Sequence, residues 1–145
     1  MRIAVLNGPN LNLLGTREPE FYGRTTLAEI EQLVRAEATK LGAEIEWLQS
    51  NHEGALVDAV QSLKGRADGA LVNAAALSHS SLPLRDAFLA VRVPFVELHL
   101  SNIFAREPER RHSVLADLAV GLVTGFGAQS YVLALHGLVG RLRAA

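Results

Sequence analysis

The sequence predicts an α/β fold in which a five-stranded parallel sheet carries helices on both faces. Three observations lead there. Short apolar runs alternate with amphipathic runs from one end of the chain to the other, the pattern of repeated strand–helix units. Several of the apolar runs are uniformly apolar, as strands buried between two helical layers are. The chain has 145 residues, 49% of them hydrophobic and 20% charged, a length and balance that predict one domain, residues 1–145, with a single core.

The first strand is Arg2 to Leu6. The connection after it, Asn7 to Thr25, far exceeds the roughly two to six residues usual at such a junction, and long connections of this kind often serve as lids. Within it, Gly15 to Arg24 is bounded by glycines that can act as hinges. The first long helix follows over Leu27 to Leu41. Leu27, Ile30, Leu33, Val34 and Leu41 form its apolar stripe, Thr26 and Glu29 make a capping box, and Gly42 terminates it.

In the second strand, Ala43 to Leu48, Ala43, Ile45 and Trp47 alternate with Glu44 and Glu46. Such alternation marks an edge strand with one wetter face. The next helix, about Glu53 to Lys64, carries Leu56, Val60 and Leu63 and stops at Gly65. The strands Gly69 to Val72, Pro94 to Leu98 and Leu118 to Thr124 are more uniformly apolar and are expected to be central or well covered. Between the first two of these, a helix starts near Ser81 with Pro83 in its first turn. The last helix runs from about Gln129 to Leu142, with Val132, Leu135, Leu138, Val139 and Leu142 apolar and Arg141 and Arg143 near its negative end. An edge strand in second position is what the flavodoxin-like order 2-1-3-4-5 requires, in which the first strand lies beside both the second and the third, and that order is expected here.

Composition narrows the partners. The formal net charge is −1, so no global basic field favours nucleic acid or an anionic membrane, and a small molecule is the expected ligand. The chain contains no cysteine, which excludes disulfides, thiolate metal sites and cysteine nucleophiles and fits a reducing cytoplasm. The apolar run Ile3 to Leu6 is far too short for a signal peptide or a membrane span.

Parallel sheets bind ligands outside the carboxyl ends of their strands. Here the first strand ends in Asn7-Gly8-Pro9-Asn10, the third in Asn73, and the fourth runs into Glu97, His99, Ser101 and Asn102. A lone asparagine at such an end is usually a turn or cap residue; three sites on one rim weaken that reading. His99 alone is equally a satisfied half-buried histidine, but Glu97 lies two residues earlier on the same strand face, where a carboxylate can orient or charge an imidazole. The loop holds one tyrosine, Tyr22. A phenol titrates near pH 10 and is a poor base unless a cation stabilises the phenolate, and Arg17 and Arg24 are candidates. Taken alone, the loop reads at least as well as a surface segment anchored by Phe21 and Tyr22. The charge-dense run Ala105 to Ser113 is by default a solvated helix start. Since it follows the fourth strand and stands over the same rim, one of its arginines can clamp a carboxylate.

These residues, in order, resemble a known family: Asn7-Gly8-Pro9-Asn10-Leu11-Asn12, Arg17-Glu18-Pro19 and Tyr22-Gly23; Asn73 with His79; then Glu97-Leu98-His99-Leu100-Ser101-Asn102 with Ala105-Arg106-Glu107. The set is similar to type II 3-dehydroquinate dehydratase from Ile3 to about Leu135. The resemblance implies a flavodoxin-like fold, the shikimate pathway, no metal or organic cofactor, and trimers assembled into a dodecamer. Carried over position by position, it makes Tyr22 the base, Arg17 the cation that lowers its pKa, His99 the general acid and Glu97 its support. Asn10 would hold a water at the enolate oxygen. Asn73, His79, Leu100, Ser101 and Arg110 would bind the substrate, and Asp86 would reach the site of a neighbouring subunit. Two positions depart from the family. Ala75 stands at or next to a usual glycine, where its methyl presses on the backbone under the substrate, and Phe104 stands where histidine is common.

The implied reaction removes a proton alpha to a ketone and expels the beta hydroxyl, so the ketone itself is the electron sink. Lys40 and Lys64, the only lysines, are expected near helix ends away from the rim, which disfavours an imine route. Other occupants of this architecture fit poorly. A receiver domain needs acidic residues where this chain has Asn7 and Asn73, and a flavin module needs a Ser/Thr-rich loop after the first strand. A catalytically silent relative that binds the acid or a regulator is suggested by Ala75 and Phe104 alone.

Overall fold

The computed structural model describes residues 1–16, 18–22 and 24–145, with residues 21 and 22 described in backbone only. Five strands, β1 (Arg2–Asn7), β2 (Glu44–Gln49), β3 (Gly69–Asn73), β4 (Phe95–His99) and β5 (Gly121–Thr124), form one parallel sheet in the order β2-β1-β3-β4-β5. The helices are α1 (Pro19–Tyr22), α2 (Leu27–Lys40), α3 (Glu53–Gln61), α4 (Leu82–Val91) and α5 (Gln129–Ala144). The order is the one expected from the wet-faced second strand.

Strand alternation splits the interior into two layers. Ile3, Val5, Leu71, Val96 and Leu98 pack with Ile30 and Val34 of α2 and Leu135 and Leu138 of α5. Ala4, Leu6, Ala70, Val72 and Phe95 pack with Leu56 and Val60 of α3 and Leu84 and Phe88 of α4. Side chains two apart on a strand share a face, so Phe95, Glu97 and His99 address the α3/α4 side. The Thr26–Glu29 capping box forms, and Gly42 takes the left-handed conformation that ends α2.

The long connection after β1 carries a 3-10 turn at Leu11–Leu13 and the single turn of α1. Two expectations need correction. The fifth strand begins at Gly121 rather than Leu118, because residues 115–119 close into turns, with the Leu118 and Ala119 amides donating to Leu115 O. Residues 69–73 and 95–99 are wholly buried, whereas β5 is only half covered and leaves Leu122 37% exposed. Its apolar composition therefore does not reflect helical cover on both faces. Among the described residues no helix is long and apolar enough to cross a membrane.

Candidate active site

The parallel register lines up the strand ends. Gln49, Asn7 and Asn73 are direct neighbours across β2, β1 and β3, while His99 of β4 stands beside Thr124 of β5. Above this edge opens a cleft of about 90 Å³ lined by Asn10, Asn73, His79, His99, Ser101 and Arg110, among others, with Leu100 in its wall.

His99 is backed by a buried carboxylate. Its Nε2 lies 2.5 Å from Glu97 Oε2, and the other carboxylate oxygen accepts from Ser113 Oγ at 2.7 Å. Glu97 is fully buried and His99 5% exposed. A buried carboxylate that has lost water needs donors in return, and here each oxygen has one. With Nε2 committed to Glu97, Nδ1 is the His99 nitrogen left for a ligand.

His79 is fixed by a reciprocal clasp. Its Nδ1 lies 2.7 Å from the carbonyl oxygen of His112, and His112 Nε2 lies 2.8 Å from the carbonyl oxygen of His79. A carbonyl only accepts, so both ring nitrogens must donate. Nε2 of a neutral His79 then carries a lone pair. Burial holds this imidazole below its ordinary histidine value, and the positive neighbours His99, Arg110 and His112 push the same way, against the pull of the His112 carbonyl. The His79 and His99 rings stack with centroids 6.1 Å apart. The cleft thus holds a carbonyl-clamped imidazole beside a carboxylate-backed one.

The asparagines divide by role. Asn7 is fully buried and does not line the cleft; its Nδ2 donates to Leu48 O at 3.0 Å, and its Oδ1 accepts from the Tyr131 hydroxyl at 2.6 Å. Asn73 Nδ2 donates to the same hydroxyl at 2.9 Å, and Asn73 Oδ1 takes the Ala75 amide at 3.3 Å. Tyr131 therefore ties the ends of β1 and β3 to α5. Burial raises its phenol well above the usual tyrosine value, against the opposing pull of Asn73, so it serves as a neutral strut. Asn10 lies at the rim in the left-handed region, φ 69°, with its amide held by Asn51 Oδ1 at 2.9 Å.

Ala75 also has positive φ, 53°, a conformation that favours glycine. The departure noted in the sequence therefore falls on a position whose backbone prefers that residue. Gly8 is required for space instead. A Cβ there would overlap Ala74 O and come within 2.6 Å of the Ala74 carbonyl carbon.

Two buried or half-buried guanidiniums supply positive charge. Arg110 pairs with Glu107 at 2.5 Å, and Arg106, 9% exposed, lies 3.4 Å from Ser101 Oγ and 3.6 Å from Glu107. Both line the cleft. Of the residues singled out from the sequence, the structure brings Asn10, Asn73, His79, His99, Leu100, Ser101 and Arg110 to the cleft, with Glu97 behind His99. Asp86 is exposed on α4, away from it. The Tyr22 side chain and Arg17 lie outside the described residues. Glu20 and Thr25, on either side of Tyr22, line a depression that shares Leu100, Ser101 and Arg106 with the cleft.

Tyr131 and Ser113 had no role in the sequence reading, and Arg106 was not singled out within its motif and charged run. Each carried a signal. Tyr131 is a lone phenol beside the apolar stripe of α5, Ser113 closes the charged run after β4, and Arg106 follows directly on the strand-end residues Ser101 and Asn102.

A doubly wound parallel sheet with a carboxylate-backed imidazole, a clamped imidazole and two guanidiniums at its carboxyl edge has the groups that acid–base chemistry on a small anionic molecule requires. The chain belongs to the class II dehydroquinase family, whose model, "Dehydroquinase class II", matches residues 1–139. It is 59% identical over 143 residues to a 3-dehydroquinate dehydratase of Parasynechococcus marenigrum, covering 99% of this chain and 98% of that one. It is 53% identical over 134 residues to catabolic 3-dehydroquinase 1 of Aspergillus terreus, covering 92% of this chain and 88% of that one. The crystal structure of type II dehydroquinase from Butyrivibrio crossotus superposes with a TM-score of 0.93 at 36% identity, covering 95% of this chain and 97% of that one.

Proposed function

We propose that this chain dehydrates 3-dehydroquinate to 3-dehydroshikimate by anti elimination through an enolate. The observation that carries the reading is the Glu97–His99 pair, 2.5 Å apart with Nδ1 left to the cleft, which suits an acid that protonates a departing hydroxyl. In this reading Tyr22, with Arg17 as its cation, takes the proton alpha to the ketone. The electron pair passes into the carbonyl, and a water held by Asn10 steadies the enolate oxygen. As the enolate collapses, the C–O bond breaks towards oxygen and His99 supplies the proton that makes the leaving group water. No step calls on a metal or an organic cofactor.

Binding follows the same logic. Arg110 takes the carboxylate in exchange for Glu107, and His79 accepts from a substrate hydroxyl through its free lone pair. Asn73, Leu100 and Ser101 line the remaining contacts. Asp86, exposed on α4, is assigned to the site of a neighbouring subunit in a dodecamer of trimers, in a cytoplasmic protein whose single domain is residues 1–145. The relatives include an enzyme named as catabolic, and the same chemistry serves the biosynthetic and the quinate-degrading direction of use.

Mixing the purified protein with 3-dehydroquinate and following the ultraviolet absorbance of the conjugated enone tests the reaction. Folded protein that gives no rise in absorbance would sink it. A gel-filtration mass tests the assembly, a dodecameric mass being expected and a monomeric one excluding it.

A further inference from the structure

We propose that Ser113 is a positioning residue for the acid step, its one hydroxyl proton committed to Glu97 so that this carboxylate stays an acceptor towards His99. The inference deepens the dehydratase reading, and its kinetic arm rests on that reading.

A serine hydroxyl has one proton and two lone pairs. Ser113 Oγ receives the Leu115 amide at 3.0 Å and the Ala116 amide at 3.1 Å, which fills both lone pairs. The proton can then only be given away, and the group facing it is Glu97 Oε1 at 2.7 Å. The serine is itself pinned. Arg111 Nε donates to Arg106 O at 2.6 Å just before it, and the Val114 amide donates to Ser78 O at 2.8 Å just after.

What this secures is the location of a proton. Glu97 is fully buried, and its second oxygen faces His99 Nε2 at 2.5 Å, close enough for the proton between them to sit on either partner. If Glu97 took it, His99 would be a neutral ring, a far weaker acid than an imidazolium. A donor on Oε1 favours the charged carboxylate and so leaves the proton on the imidazole. When His99 gives its Nδ1 proton to the departing hydroxyl, its Nε2 proton stays in place, and the ring ends neutral beside a carboxylate still held by Ser113. The arrangement is a relay of orientation, from two backbone amides through a hydroxyl and a carboxylate to the acid.

The test compares Ser113→Ala, Ser113→Thr, Glu97→Gln and the double variant Ser113→Ala/Glu97→Gln. Ser113→Ala is expected to lower kcat about tenfold, the worth of one charge-assisted hydrogen bond, with KM within about twofold because the serine does not line the cleft. Ser113→Thr, which keeps a hydroxyl, restores most of the rate. In the Glu97→Gln background, removing the hydroxyl costs less than about twofold, since the two act as one unit. Independently of any substrate, the proton resonance of His99 Nε2 in the free protein shifts in Ser113→Ala and returns in Ser113→Thr. Parental kcat in Ser113→Ala, full additivity in the double variant, or an unmoved His99 resonance each overturns the proposal. If the parent leaves 3-dehydroquinate unchanged, the substrate reading falls while the His99 resonance still decides the role of Ser113.

Discussion

Replacing Tyr131 with phenylalanine removes a single oxygen, yet two buried amides depend on it. Asn7 Oδ1 loses its donor at 2.6 Å and Asn73 Nδ2 its acceptor at 2.9 Å, in side chains that are 0% and 2% exposed. Counted as two net hydrogen bonds, the loss is about 2 kcal/mol; counted as two orphaned buried groups, it reaches about 6 kcal/mol, and partial relaxation places the expected cost at about 2–4 kcal/mol. At roughly 3 °C per kcal/mol for a chain of this size, Tm falls by about 6–12 °C. Urea unfolding followed by tryptophan fluorescence measures it directly. Trp47 is the only tryptophan and stacks on Tyr131 with centroids 5.9 Å apart, so the reporter touches the perturbation. The midpoint should fall with the slope unchanged. The wild-type protein should also lose stability as pH rises above about 10, where the unfolded phenol ionises but the buried one does not; Tyr131→Phe should lack this loss. A cost under about 0.5 kcal/mol would show that the two asparagines find other partners and that the strut is dispensable.

Other expectations concern the rim and the loop. Gly8→Ala should cost about 2–3 kcal/mol in urea unfolding, because its Cβ meets the Ala74 backbone rather than a side chain that can yield; a cost near zero would mean that the β1 rim is loosely packed. Ala75→Gly should stabilise by about 0.5 kcal/mol, the relief of a left-handed alanine less the added freedom of the unfolded chain, and a lower unfolding midpoint would contradict it. Because His79 is held below its ordinary value, the unfolded chain takes the proton first as pH falls through about 6.5, so acid costs stability. His79→Asn should lose less stability than the parent between pH 8 and pH 5.5, and an equal loss in both would remove His79 as the cause. Tyr22→Phe should nearly abolish turnover while leaving substrate-induced thermal stabilisation measurable; turnover close to the parent would dismiss Tyr22 as the base.

The fold was legible because its signals are local. Glu44 and Glu46 between apolar neighbours marked β2 as an edge, and Thr26, Glu29 and Gly42 bounded α2 through capping chemistry that needs no tertiary partner. The fifth strand was misjudged because apolar residues alone do not distinguish helical cover from an edge that keeps its side chains half exposed. In the site, Glu97 and His99 could be paired from strand alternation, which fixes direction within one element. Ser113 and Tyr131 could not, since each acts across elements: Tyr131 bonds to Asn7 from 124 positions away in the chain, and only the folded sheet makes them neighbours.

The His79–His112 clasp has a consequence for selectivity. Because the His112 carbonyl holds the only ring N–H of a neutral His79, a ligand bound there as proposed would meet that ring as a pure acceptor. A free hydroxyl satisfies it. An ether or a deoxy analogue of the same shape would leave a lone pair without a partner, and would be rejected for a missing hydrogen rather than for its size. In that proposed role, two histidines that each hold the other's carbonyl would act as a test for one proton on the ligand.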